Sequence, residues 1–314
     1  MIHRRSALAF LASSLVQEAT SAAPITRLLF VHGRGQAGLK VADLQAAWLA
    51  ALAESFQAIG KPMPRDLQVD FPFYGDILER FVTQASLPTT SEVVSRGGTP
   101  NNELLAFQND VAQSIRQQLG VPDDQVLAEY GNNPKPRGPL NWEWVQAILR
   151  AIDHHGGGLS ADGIERFTRD VYLYLTLAPA REAVDAEVRG KLTGERTLVV
   201  AHSLGSVVAY NVLHAGGRPP DIPLFMTVGS PLGIRAIRDQ LVPVSFPSRV
   251  RSWYNAFDTR DVVALFPLDG TNFPVSPPIE NFAGVRNQTE NRHGIAGYLN
   301  DKHVAAKVLG ALVA

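Results

Sequence analysis

Apolar residues are not spread evenly along this chain. They gather in short runs bounded by turn residues, at Leu28–Val31, Leu67–Phe73, Thr197–Ala201, Leu224–Val228 and Val250–Phe257. Runs of this length, rich in β-branched residues and without alternation, predict strands buried on both faces, as in a parallel sheet. Longer segments between them carry apolar residues at helical spacing. In Val41–Ile59 the residues Leu44, Trp48, Leu52 and Phe56 share one face. Gly205–Ala215 continues directly out of a predicted strand, and Ile295–Val313 predicts a C-terminal helix. Alternating strands and helices predict an α/β fold, a mostly parallel sheet with helices on both faces.

One connection is too long for a single crossover helix, since 122 residues lie between Tyr74 and Thr197. Leu104, Phe107, Val111, Ile115 and Leu119 form a helical stripe there, and so do Ile164, Phe167, Val171 and Leu175. The segment "NWEWVQAILRAID" predicts a third helix, and "RGGTPNN", "GNNPKPRGP" and "HHGGG" are loop compositions. These features predict a helical cap inserted at about residues 76–192 of a domain spanning 24–314. "VYLYLTL" at 171–177 also alternates with period two, which keeps a strand open for that stretch.

The first 23 residues place Arg4 and Arg5 before an apolar run from Ala7 to Val16, followed by small residues ending at Ala23. That order matches an export signal and predicts a periplasmic or secreted protein; the alternative is an N-terminal helix on a cytoplasmic one. The Arg pair is loosely similar to that of twin-arginine signals. The apolar run is shorter than the ~20 residues that span a bilayer, so no transmembrane segment is expected. A net charge of −1, with no run of Lys and Arg, argues against a nucleic-acid partner. With no cysteine, disulfides, thiolate catalysis and cysteine-based metal sites are excluded.

Candidate chemistry concentrates in "TLVVAHSLGSVVAYNVL". A β-branched strand runs into Ala201-His202-Ser203-Leu204-Gly205 and then into a helix, the strand–turn–helix setting of a nucleophile elbow with Ala201 in place of the first glycine. A serine on such a turn needs small neighbours and gains an exposed hydroxyl at a helix N-terminus, where positive potential favours an oxyanion. It also needs a base and a group to orient that base. Of the downstream histidines, His214 falls in the following helix, His303 lies deep in the C-terminal helix, and His293 stands just before that helix, so His293 is the expected base. For the orienting acid, Asp258 and Asp261 both follow an apolar strand.

With these segments placed, the chain resembles the α/β-hydrolase serine esterases and lipases from about Arg27 to the C-terminus, the cap excepted. The motifs are "FVHGRG", "AHSLGS", "VGSPLG", "NAFDTRDVVA" and "NRHGIAGYL". The resemblance implies an α/β-hydrolase fold with Ser203 as nucleophile and His293 as base. It implies Asp261 as acid, because Asp261-Val262-Val263 looks like the family's Asp-x-Val segment. It also implies oxyanion-hole donors at the backbone of Leu204 and Arg34. The expected reaction is hydrolysis of a small-molecule or lipid-like carboxylic ester through an acyl-enzyme, with no metal or organic cofactor. An amidase, peptidase or acyltransferase is the alternative on the same residues. Acyl length, oligomeric state and cap mobility are not legible.

Several further features have two readings. Gly33, Gly35 and Gly38 spell the dinucleotide fingerprint G-x-G-x-x-G, but an acid about 20 residues on, at the end of the next strand, is missing. Backbone approach to an oxyanion over Ser203 is the expected use instead. His32 and His202 are expected to buttress the two loops rather than bind metal, and His154 and His155 to sit in an exposed loop. "GSPLG" at 229–233 lines the site floor or forms a structural turn. Trp142, Trp144, Tyr172 and Tyr174 are expected to pack in a core, with an acyl pocket as the alternative.

Overall fold

The computed structural model describes residues 25–92, 101–132, 135–155, 158–215 and 221–313. The expected export signal lies outside them, as do most of "RGGTPNN" and parts of the next two loops. Six strands form one all-parallel sheet: β1 (Arg27–Val31), β2 (Gln68–Asp70), β3 (Thr197–His202), β4 (Phe225–Val228), β5 (Trp253–Ala256) and β6 (Glu280–Phe282), in the order β2-β1-β3-β4-β5-β6. Five of these coincide with the apolar runs. The sixth, ENF, is a short edge strand with an exposed and half-buried pattern, so no apolar run marks it.

Both sheet faces are covered, which is why the strands read as continuous apolar runs. Leu28, Phe30, Leu198, Val200 and Met226 turn to one face and Leu29, Val31, Val199, Ala201 and Phe225 to the other. Helix α1 (Val41–Ala58) covers the first face together with the C-terminal helices. Among the described residues, the long β2–β3 connection carries the helices α2 (Gly75–Ala85), α3 (Asn102–Leu119), α4 (Asp123–Tyr130), α5 (Trp142–His154), α6 (Ala161–Thr176) and α7 (Ala178–Lys191). They share one continuous core with the second sheet face, where α7 packs on α8 (Leu204–His214). A one-turn helix α9 (Arg235–Arg238) touches α3.

Two expectations change here. "VYLYLTL" lies within α6 except for its last residue, Leu177, because Phe167, Val171, Leu173 and Tyr174 are buried around a helix that is almost wholly interior. Its alternation is overridden by burial on nearly every side. The C-terminal helix is two helices, α10 (Ile295–Leu299) and α11 (Lys302–Leu312), since the Asp301 carboxylate accepts the N–H groups of His303 and Val304 and starts a new N-terminus. His303 therefore stands in the first turn of α11 rather than deep in a helix.

The order of strands decides where a site forms. From β1 the chain steps outward to β2, then returns to β3 on β1's other side and continues to β6. The carboxyl ends of β1 and β3 flank that reversal, the place where an open parallel sheet leaves a crevice. Among the described residues, no helix is long and apolar enough to cross a membrane.

Candidate active site

All six residues of β3 are buried, and Ser203 follows directly with φ 56° and ψ −131°. Positive φ is uncommon for a residue with a Cβ and costs about 1–3 kcal/mol, held only where the surroundings over-determine it. They do so here. The Ser203 N–H donates to Val228 O at 3.2 Å, and its carbonyl accepts from Ser206 Oγ at 2.6 Å. Ser206 Oγ also meets Ser230 Oγ at 2.7 Å, so the "GSPLG" segment props the turn from below. Gly205 is required for a reason the sequence alone misplaces. A Cβ there would stand 2.3 Å from Val31 O and 2.4 Å from His32 O, so the close approach is to the end of β1.

His293 lies on the segment between β6 and α10. Its Nε2 is 2.8 Å from Ser203 Oγ, and its Nδ1 is 2.7 Å from Asp261 Oδ2. A carboxylate only accepts, so Nδ1 carries the proton and Nε2 is left to accept the serine hydroxyl. Ser203 is 2 % exposed and Asp261 is fully buried. The second Asp261 oxygen accepts the Val263 N–H at 3.0 Å. A residue that sequence reasoning missed completes the group: Tyr298, fully buried in α10, donates its hydroxyl to Asp261 Oδ2 at 2.5 Å. Burial, and then the Asp261 charge, push the Tyr298 phenol well above its ordinary pKa, so it stays a donor.

Asp258 does something else. It is buried and accepts from Arg260 Nη2 at 2.8 Å and from the Asn287 N–H at 2.8 Å. Burial opposes its ionisation, but the Arg260 guanidinium and these N–H donors outweigh that and hold its carboxyl below the usual range. Asp258 thus anchors the start of the His293 segment. Asn287 Nδ2 then donates to Gly294 O at 2.8 Å, and Asn291 Oδ1 accepts the His293 N–H at 3.0 Å.

No protein-family model matches this chain, and no curated protein matches it either.

The β1 loop closes the site from the other side. A Cβ on Gly33 would lie 2.9 Å from Ser203 Cβ and 3.4 Å from its Oγ, so this position faces the hydroxyl directly. Gly35 and Gly38 instead serve the turn, with φ of 73° and 74°. Asp70, the first acid at a strand end after the fingerprint, is bound to Arg27 at 2.5 Å. Arg34 Nε donates to buried Asp170 of α6 at 2.7 Å, tying the loop to the helical insertion. Leu204 supplies the first N–H of α8, a group with no intrahelical acceptor.

His32 and His202 brace this arrangement. His32 Nδ1 donates to Gly33 O at 2.6 Å, its Nε2 accepts the Tyr74 N–H, and its carbonyl accepts the Tyr74 hydroxyl. Burial pushes its pKa down to about 4. His202 Nε2 donates to His293 O at 2.7 Å, and the two rings are 4.7 Å apart. Burial, then the neighbouring His293, lower the His202 pKa well below the ordinary value, so His202 stays neutral beside His293.

The Ser203 hydroxyl opens on a cleft of about 310 Å³. None of Trp142, Trp144, Tyr172 and Tyr174 lines it. Tyr172 and Tyr174 bond to Glu103 and Asp185, and Trp144 packs edge-on against Tyr130. His214 meets Ser245 Oγ at 2.7 Å, and exposed His154 meets Glu129 Oε1 at 2.7 Å, both outside the cleft.

Proposed function

We propose that this protein is a serine hydrolase of the α/β-hydrolase type that cleaves carboxylic esters through an acyl-enzyme. The observation that carries the reading is the unbroken relay from Ser203 Oγ to His293 at 2.8 Å and from His293 to Asp261 at 2.7 Å, on a serine held at positive φ between a strand and a helix. A serine without a base is a weak nucleophile, and a base without an orienting acid presents the wrong tautomer part of the time. The chain order Ser, Asp, His on a parallel sheet supports the fold-family reading.

In this mechanism His293 Nε2 takes the Ser203 proton as Oγ attacks the ester carbonyl carbon. Asp261 holds the Nδ1 proton and stabilises the imidazolium. The N–H groups of Leu204 and Arg34 receive the developing oxyanion, each such donor being worth ~10²–10³-fold. His293 then protonates the departing alkoxide. Water, activated by the same imidazole, releases the acid and restores the serine.

A fluorophosphonate probe tests this directly. The intact protein is expected to be labelled on Ser203, with ester hydrolysis lost in step with labelling, and Ser203→Ala is expected to take no label while keeping its Tm. Labelling that persists in Ser203→Ala overturns the assignment.

A further inference from the structure

Resting on the serine-hydrolase reading above, we infer that the substrates are small esters of short acids, and that Leu159 sets the upper limit of acyl length. The cleft over Ser203 holds about 310 Å³, the low end of the range for small-molecule sites. At about 30 Å³ for each water-sized group, that is room for roughly ten non-hydrogen atoms, the size of ethyl hexanoate. Beside the polar Arg34, Gln36 and Asn291, apolar side chains reach it from three directions: Leu44 and Trp48 of α1, Val263 and Ile295 beside the relay, and Leu159 and Phe167 of the insertion.

The insertion side of this wall is not built like a lid. Phe167 is 2 % exposed and belongs to the core that α6 shares with the sheet. One turn further on, Asp170 is 4 % exposed and holds Arg34 Nε at 2.7 Å, so α6 is fastened to the β1 loop by a buried carboxylate. Moving α6 to open the cleft would expose apolar core and break the Arg34–Asp170 pair. The insertion side of the cleft is therefore a fixed wall and not one stage of an opening.

Leu159 is the adjustable part of the wall. It is half-buried on the turn before α6 and seated on Gly163, where a Cβ would come within 2.9 Å of Leu159 Cδ1. Shortening or lengthening its side chain changes the cleft without removing a fully buried core residue.

Initial rates on ethyl acetate, butanoate, hexanoate, octanoate and decanoate, read by proton release, test the inference alongside Leu159→Ala and Leu159→Phe. The expected kcat/KM is highest at or below hexanoate and falls about tenfold or more by octanoate. Leu159→Ala is expected to raise the octanoate-to-butanoate ratio about tenfold and Leu159→Phe to lower it, with circular dichroism unchanged in both. A rate that holds or rises through decanoate overturns the inference. So does a length profile unmoved by either variant, or a jump in rate at the solubility limit of the ester. A Ser203 that takes the fluorophosphonate while no ethyl ester is cleaved overturns this inference and the choice of ester as substrate, and leaves the serine nucleophile standing. A Ser203 that takes no label and cleaves nothing overturns the serine-hydrolase reading and this one with it.

Discussion

At the scale of single residues, the two aspartates after β5 separate by what they accept. Asp261 receives His293 Nδ1, the Tyr298 hydroxyl and the Val263 N–H, whereas Asp258 receives Arg260 and the Asn287 N–H. Asp261→Asn is expected to lower kcat about 10⁴-fold with an unchanged far-ultraviolet spectrum, since an amide in that place can favour the wrong imidazole tautomer. Asp258→Asn is expected to act the other way, lowering Tm while kcat per folded molecule stays near its original value. If the Asn variant of Asp258 keeps its Tm and loses its rate, the roles are reversed. Tyr298→Phe keeps the ring that packs over Gly229 and removes one charge-assisted hydrogen bond. It is expected to cost about 1.5–3 kcal/mol in urea denaturation and to reduce kcat with KM unchanged.

At the scale of elements, two glycines face the same turn with different demands. Gly205 opens α8 against the carbonyls that end β1, and the obstructing atoms are backbone. Gly205→Ala is therefore expected to prevent folding, read as loss of soluble protein or of the cooperative transition. Gly33 meets a side chain, the Ser203 Cβ at 2.9 Å. Gly33→Ala is expected to leave a folded protein with little activity and a lowered rate of fluorophosphonate labelling. Equal labelling rates in Gly33→Ala and the original protein would show that the β1 loop does not bear on Ser203.

At the scale of the whole molecule, the ends of β1 and β3 are tied together around buried neutral imidazoles. His32 is 1 % exposed and its pKa lies at about 4 in the folded protein, against about 6.5 in an unfolded chain. Between those values the unfolded chain binds the extra proton and the folded one does not, so stability rises with pH across that window. The contribution is complete above pH ~6.5 and is lost as pH falls through about 4, amounting to about 3 kcal/mol from His32. Urea midpoints measured from pH 7.5 to 4 are expected to fall steadily below 6.5, and His32→Gln is expected to flatten that slope. A His32→Gln variant with the full slope would assign the dependence to other groups.

Much of this molecule is readable from local pattern, because local pattern reports local physics. Apolar runs located five strands, since strands buried on both faces need apolar side chains throughout. Small residues around Ser203 marked the tight strand-to-helix turn, and the helical stripes at 104–119 and 164–175 survived into α3 and α6. Other features rest on partners far away in the chain. Ser203 and His293 are 90 residues apart, and Arg34 and Asp170 136 apart. Which aspartate would meet His293, that Tyr298 would join it, and that Leu159 and Phe167 would wall the cleft were decided by strand order and helix packing. Sequence by itself determined the elements and a short list of reactive side chains, because periodicity and turn chemistry act within a few residues. Only the tertiary structure decided which of those side chains touch, because contact depends on how distant elements bury their apolar faces together.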